Sequence, residues 1–307
     1  MNQPNLHIRI GLQGRFKLDV LGPDGDLRRS TGWFNNMILT KGLDLLGSTG
    51  NVIGNCQVGV GSTPPSLSQT GLTGYVAGTA SRIATSSTAQ GAPPYYGSTI
   101  TTWQFTPDVL GNTAHNFAEV GVGPSSNNDG NLFSRQLILD GLGNPTTITV
   151  LADEYLNVTY ELRYYPPLAD VTGSVIINGT TYTTTVRAAN VTNNFYWGYP
   201  IGSKAGFSSV PVSGYWWNGA IQPITSAPSG LSLDQLSTST SVYVNGSYHV
   251  DITMASLINT AITGIQSYFC PTTLGAFQIG ISPSIDKTNT QQLTFVTRVS
   301  WAVHPLP

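Results

Sequence analysis

The chain has 307 residues, enough for one large all-β domain or two ordinary ones. Only 9% of its residues are charged while 40% are hydrophobic, and the formal net charge is −2. That balance excludes a disordered chain, which is apolar-poor and highly charged, and argues against a nucleic-acid partner, which calls for a basic face.

The remaining composition favours strands and tight turns, because the chain is rich in Thr, Ser, Asn, Gly, Tyr and Trp. Helices usually keep a charged solvent face, and little here supplies one. So few charges leave two readings open: a neutral β-rich surface, or a chain packed among neighbours in an assembly. The basic residues Arg9, Arg15, Lys17, Arg28, Arg29 and Lys41 are interleaved with Asp19, Asp24, Asp26 and Asp44, so no basic patch is expected. The opening MNQPNLHIRIG lacks the apolar core of a signal peptide, and no apolar run reaches the ~18 residues of a membrane span. No membrane partner is expected, and Cys56 and Cys270 read as two reduced, buried thiols.

In chain order, GRFKLDVLGPDGDLRRSTGWF predicts a hairpin: Phe16, Leu18 and Val20 alternate with Arg15, Lys17 and Asp19, and GPDG is turn chemistry. One short helix is predicted near residues 35–47, with Thr40 capping its last part and Gly47 ending it. Three stretches then share one shape: CQVGVGSTPPS, AEVGVGPSSNN and FQIGISPSIDK, each an apolar run with an inner glycine (Gly59, Gly121, Gly280) closing on a Gly/Ser/Pro loop. A glycine inside a strand marks a bulge, or a close approach of a large side chain or a second backbone.

LFSRQLILDGLGNPTTITVLADEYLNVTYELRYYPP predicts three strands, the first two joined as a hairpin at DGLGNP. Asn-Gly signals two more hairpins, SVIINGTTYTTTV and TSVYVNGSYHVDIT. The final QLTFVTRVSWAVHP matches NVTYELRYYPP in pattern, which puts the two strands in related or neighbouring places. The fold class predicted is all-β, a jelly-roll-like β-sandwich with long irregular loops. A boundary near YYPPLADVTG gives residues 1–167 as a sandwich domain and 168–307 as a second β-rich region, whose last strand (291–305) returns to the first.

Chemistry is sparsely signalled. The VGVG stretches lack the lysine and the following helix of a phosphate loop, and Pro64, Pro65 and Pro124 follow them. His7, His115, His249 and His304 show no metal-ligand spacing, so no metal or cofactor is expected. Cys56, in an apolar strand, reads as inert, and no G-x-S-x-G elbow occurs. Asp153 and Glu154 would point to opposite faces of a strand. Glu119, Asp140, Glu161 and Asp170 meet only if the fold brings them together. Glu119 sits in an otherwise apolar strand and reads as an exposed strand residue, or as one paired with Arg135 or Arg163. No catalytic residues are assigned.

The aromatic cluster Phe195, Tyr196, Trp197, Tyr199, Tyr215, Trp216 and Trp217 has three readings: a glycan platform, an assembly interface, or the core beneath a long loop.

Taken together, the ordered motifs GWFNNMILTKGLDLLG, CQVGVGSTPPSLSQTGL, NFAEVGVGP, LFSRQLILDGLGNPTTITVLADEYLNVTYELRYYPP and LTFVTRVSWAVHP resemble tailed-bacteriophage virion structural proteins of the tail, neck and fibre region. The resemblance is clearest over residues 14–72 and 116–167. It implies a non-enzymatic virion component, assembled in the host bacterial cytoplasm, whose partners are further copies of itself and other tail, neck or fibre proteins. The alternative is a host-adsorption module that binds surface glycan through Trp197, Trp216 and Trp217.

Overall fold

In the computed structural model, residues 6–48, 51–198 and 214–305 are described. They form 21 strands and two short helices, an all-β fold as expected. An eight-stranded sheet holds β1 (Leu6–Leu21), β2 (Leu27–Asn35), β6 (Arg82–Ala89), β7 (Gly97–Phe105), β12 (Tyr155–Tyr165), β17 (Ser237–Thr240), β18 (His249–Ala255) and β21 (Thr294–Val303). A five-stranded sheet holds β3 (Met37–Ile38), β4 (Asn55–Gly59), β5 (Tyr75–Thr79), β9 (Glu119–Gly123) and β10 (Ser134–Leu137). The strands β8 (His115–Phe117) and β11 (Ile148–Val150) pair separately. A six-stranded sheet runs β13-β14-β20-β19-β15-β16, from β13 (Val171–Ile177), β14 (Thr180–Ala189), β20 (Gly275–Lys287), β19 (Ile262–Thr272), β15 (Tyr215–Trp217) and β16 (Ser232–Gln235). These pairings do not by themselves spell a jelly roll.

The organising strand is β1. Its sixteen residues alternate between core and surface, placing Ile8, Ile10, Leu12, Phe16, Leu18 and Val20 inside. Each such side chain contributes about 1.5–3 kcal/mol by burial. Along one edge β1 pairs with β12, antiparallel. The other edge is shared: β21 runs parallel to Leu6–Leu12, and β2 runs antiparallel to Arg15–Leu21. The two similar Pro-terminated strands therefore flank the same neighbour. The changeover falls at Gly14, whose carbonyl accepts from Asn36 N (3.2 Å), while His304 N donates to Leu12 O (2.7 Å). A Cβ on Gly14 would collide with Asn36 and the Tyr160 hydroxyl, so glycine is required there.

The eight-stranded sheet draws β1, β2, β6, β7 and β12 from before residue 167 and β17, β18 and β21 from after it. One apolar cluster likewise joins residues from both sides, from Leu6 to Trp301.

The helix expected over 35–47 begins only at Thr40: α1 spans Thr40–Ser48. Residues 37–38 are strand instead, because Met37 and Ile38 pair with Arg135 and Ser134. Thr40 thus opens the helix, where the expectation had it capping the last part. A second helix, one turn at α2 (Asn194–Trp197), was not expected. The Asn193 side chain caps it by accepting from Phe195 N at 2.9 Å.

Of the expected hairpins, β1–β2 and β13–β14 form fully. Asn178 (φ 50°) and Gly179 (φ 82°) take the left-handed conformations that a two-residue turn needs. The hairpin at DGLGNP is cut short: after the single bridge Leu139–Pro145, β10 turns to β9 and β11 to β8. The Asn245–Gly246 hairpin also opens early, with pairing starting only at Thr240–Ile252. Its tip docks on α1, where Asp44 Oδ1 accepts from Tyr243 Oη and Gly246 N, both at 2.6 Å.

Candidate functional site: an aromatic pocket and open strand edges

The two VGVG strands lie side by side, with Gln57 opposite Gly121 and Gly59 opposite Glu119. Their glycines are there for room. A Cβ on Gly59 or Gly61 would press on the Glu119 carboxylate, and one on Gly74 would meet the Gly61 backbone. The space so made holds Glu119, fully buried, against Arg135 at 2.6 Å. The same carboxylate accepts from Gly74 N (2.6 Å), Gly61 N (3.2 Å) and Thr73 N (3.2 Å). Glu119 is therefore not an exposed strand residue, and Arg135 is its partner. Burial pulls the Arg135 guanidinium below its ordinary value, opposed by the charge and hydrogen bond of Glu119. The third copy of the motif, in β20, belongs to the other large sheet, where Gly280 packs against Ile221.

Four of the five remaining carboxylates weighed for hydrolysis have partners of their own, and Asp153 is exposed. Glu161 pairs with Arg15 and Arg163, Glu154 with Arg29, and Asp170 with Arg187. Asp140 accepts from Leu142 N and Asn144 N inside its turn. Cys56 and Cys270 are separate buried thiols, pushed up by that burial. Among the described residues no three His, Cys, Asp or Glu side chains gather as a metal site.

The aromatic cluster divides. In β15 successive side chains alternate, so Trp216 points into the core while Tyr215 and Trp217 lie partly open. Trp216 is fully buried with its ring edge-on to Tyr268 (5.4 Å) and Phe295 (5.7 Å). The single turn of α2 does the same for its three aromatics. Trp197 is fully buried, stacked with Tyr164 and donating its indole N–H to Ala189 O at 2.9 Å. Two of the three tryptophans proposed as glycan contacts are thus core, and a sugar cannot reach them. Tyr199 lies outside the described residues.

The other four converge from two separate elements. Phe195 (65% exposed), Tyr196, Tyr215 (37% exposed) and Trp217 line one cavity of about 520 Å³ with Ala227, Ser232, Phe269 and Pro271. Phe195 stands edge-on to Tyr196 (5.0 Å, 90°), and Tyr196 edge-on to Phe269 (5.2 Å, 77°). Phe269 is the cross-strand partner of Tyr215. Burial raises the Tyr196 hydroxyl above its ordinary value. The indole N–H of Trp217 is buried and has no hydrogen-bond partner. Sequence reasoning missed Phe269 and Pro271, because only the β15–β19 register brings them to this place.

Against this chain no family model, curated protein or solved structure gives a match.

The second functional feature is the sheet edges. Among the described residues β13 forms a ladder with β14 alone, and none of its seven residues has a charged side chain. Val171 is exposed on it, and Ile176 is 73% exposed. At one end of the eight-stranded sheet, β6 is exposed along most of its length and carries a single charge, Arg82. Natural edges usually carry lysine, proline or a bulge that turns away further pairing.

Proposed function

We propose that this chain is a structural component of a bacteriophage virion, in the tail or neck region. It works by oligomeric assembly and by attachment to neighbouring tail or fibre proteins. The observation that carries this reading is the uncharged edge strand β13, which among the described residues pairs with β14 alone and has exposed Val171 and Ile176 on it. A strand from a second copy or a neighbouring protein extends the sheet there through main-chain hydrogen bonds, and the apolar side chains fix its register. The charge content of 9% fits a surface largely covered by neighbours. The resemblance of the ordered motifs to those of tail and neck proteins supplies the virion context. No catalytic role is assigned, since the buried carboxylate with the most elaborate surroundings, Glu119, is committed to Arg135 and three backbone amides.

Two measurements test this reading. Light scattering across a concentration series should find oligomers, and Thr172→Lys with Ile176→Lys should return them to monomers while keeping the fold. Immunogold microscopy of phage particles, with antibody against this chain, should label one fixed site. Wild type that stays monomeric at high concentration, or particles that carry no label when the epitope is accessible, would overturn it.

A further inference from the structure

We propose that the aromatic pocket is a binding site for one unit of a neutral saccharide. This goes beyond the assembly reading and does not depend on it, because β13 and β15 lie toward opposite ends of the six-stranded sheet.

The pocket's chemistry selects the ligand class. Phe195, Tyr196, Tyr215, Trp217 and Phe269 offer ring faces and edges, which pack on the C–H face of a pyranose. Among the described residues no Asp, Glu, Lys or Arg lines the cavity, so their chemistry offers a neutral wall to a neutral ligand and no counter-charge to a charged one. A purely apolar occupant fits less well. It would cover the hydroxyls of Tyr196, Tyr215 and Ser232, residues that line the cavity, without giving them a partner, and a buried donor left unpaired is costly. A sugar brings both halves of the match: C–H groups for the rings, and hydroxyl groups for the hydroxyls of Tyr196, Tyr215 and Ser232. The volume of about 520 Å³ lies within the range of small-molecule sites.

The site is also built in a way that holds its shape. Phe195 and Tyr196 are positioned by the capped turn of α2, whose Trp197 is anchored in the core through Ala189 O. Tyr215 and Trp217 are positioned by a strand with neighbours on both sides, and Trp216 between them is anchored in the core. Each of these four aromatics thus lies within two residues of a buried tryptophan that anchors its element.

The test is saturation-transfer NMR and calorimetry on the full chain. The probes are glucose, galactose, rhamnose, N-acetylglucosamine and their di- to tetrasaccharides. At least one probe should bind saturably. Trp217→Ala should weaken that binding by about tenfold or more, as should Phe195→Ala, whose exposed site spares the fold. Trp217→Phe, which keeps a smaller ring face, should weaken it by a smaller factor. Trp33→Ala, at an exposed tryptophan outside the pocket, should leave it unchanged, and so should Thr172→Lys with Ile176→Lys. The proposal falls if no probe binds saturably, or if Trp217→Ala and Phe195→Ala leave the affinity intact. It falls equally if Trp217→Ala alters only the oligomeric state, which would make the pocket a protein contact.

Discussion

Arg135 Nη2 lies 2.6 Å from Glu119 Oε2, and neither side chain is exposed to solvent. The residues sit on adjacent strands, two positions out of direct register, since Glu119 pairs with Leu137 and Arg135 with Gly121. Removing one member leaves an uncompensated buried charge. Glu119→Gln should therefore destabilise the fold by about 3 kcal/mol, read as a shift in the urea midpoint. An apolar double replacement, Glu119→Leu with Arg135→Met, should not restore stability, because the backbone amides of Gly61, Thr73 and Gly74 would lose their acceptor. A double variant as stable as wild type would show that the pair is dispensable.

Lys287 presents a buried cation held by carbonyl groups. It is 3% exposed, and its ammonium donates to the carbonyls of Thr260, Thr288 (3.1 Å) and Ile258 (3.5 Å), closing the connection between β18 and β19. Lys287→Met keeps the apolar stem and removes the donors. It should cost about 2 kcal/mol and lower Tm by roughly 5 °C, with faster amide exchange over residues 256–261. Unchanged exchange in that loop would mean the ammonium does not hold it.

Acid should act in two steps. His7 and His304 are both held below the ordinary 6.5, chiefly by burial; Arg298, His249 and Arg9 add to the effect at His7, opposed by Asp251. Their neutral forms belong to the folded state, so the stability they contribute is full above pH 6.5 and declines as pH falls toward their folded values. His304 stacks on Tyr165 with ring centroids 3.9 Å apart. The second step comes from Asp170 and Asp251, whose hydrogen bonds to Arg187 and Arg298 hold them below 3.8. Their contribution is full above that value and is lost as pH falls below it. Thermal melts from pH 8 to 2.5 should show both declines, and His304→Phe should flatten the first while leaving the second. An identical first step in the variant would remove His304 as its source.

Asp44 fastens the Asn245–Gly246 tip to α1, and the Tyr243 ring stacks on Trp301 beside it (5.7 Å). Asp44→Ala should cost about 1 kcal/mol and make residues 241–248 the first site of limited proteolysis. A digestion pattern identical to wild type would show that the ring stack alone secures the loop.

Much of this architecture is legible in local pattern. The period-two alternation of residues 15–20 is the strand β1, and Asn178–Gly179 is the turn it resembles, because alternation and left-handed turn residues act over a few neighbours. The inner glycines of the VGVG stretches likewise announced a close approach, although nothing local said that the approaching group was the Glu119 carboxylate. Where expectation failed, a distant partner had intervened. Met37 and Ile38 became strand because Ser134 and Arg135 offered them a ladder, and the tip of the early-opening Asn245–Gly246 hairpin is bonded to Asp44 instead.

The sequence by itself determined an all-β chain, its strand periods and its Asn178–Gly179 turn, since these rest on steric preferences within a few residues. Tertiary structure alone decided which aromatics are available. Alternation states that Trp216 faces away from Tyr215 and Trp217, but not which face is covered. That choice was made when β15 settled beside β19 and turned Trp216 onto Tyr268 and Phe295, residues far along the chain whose burial with it favours that face.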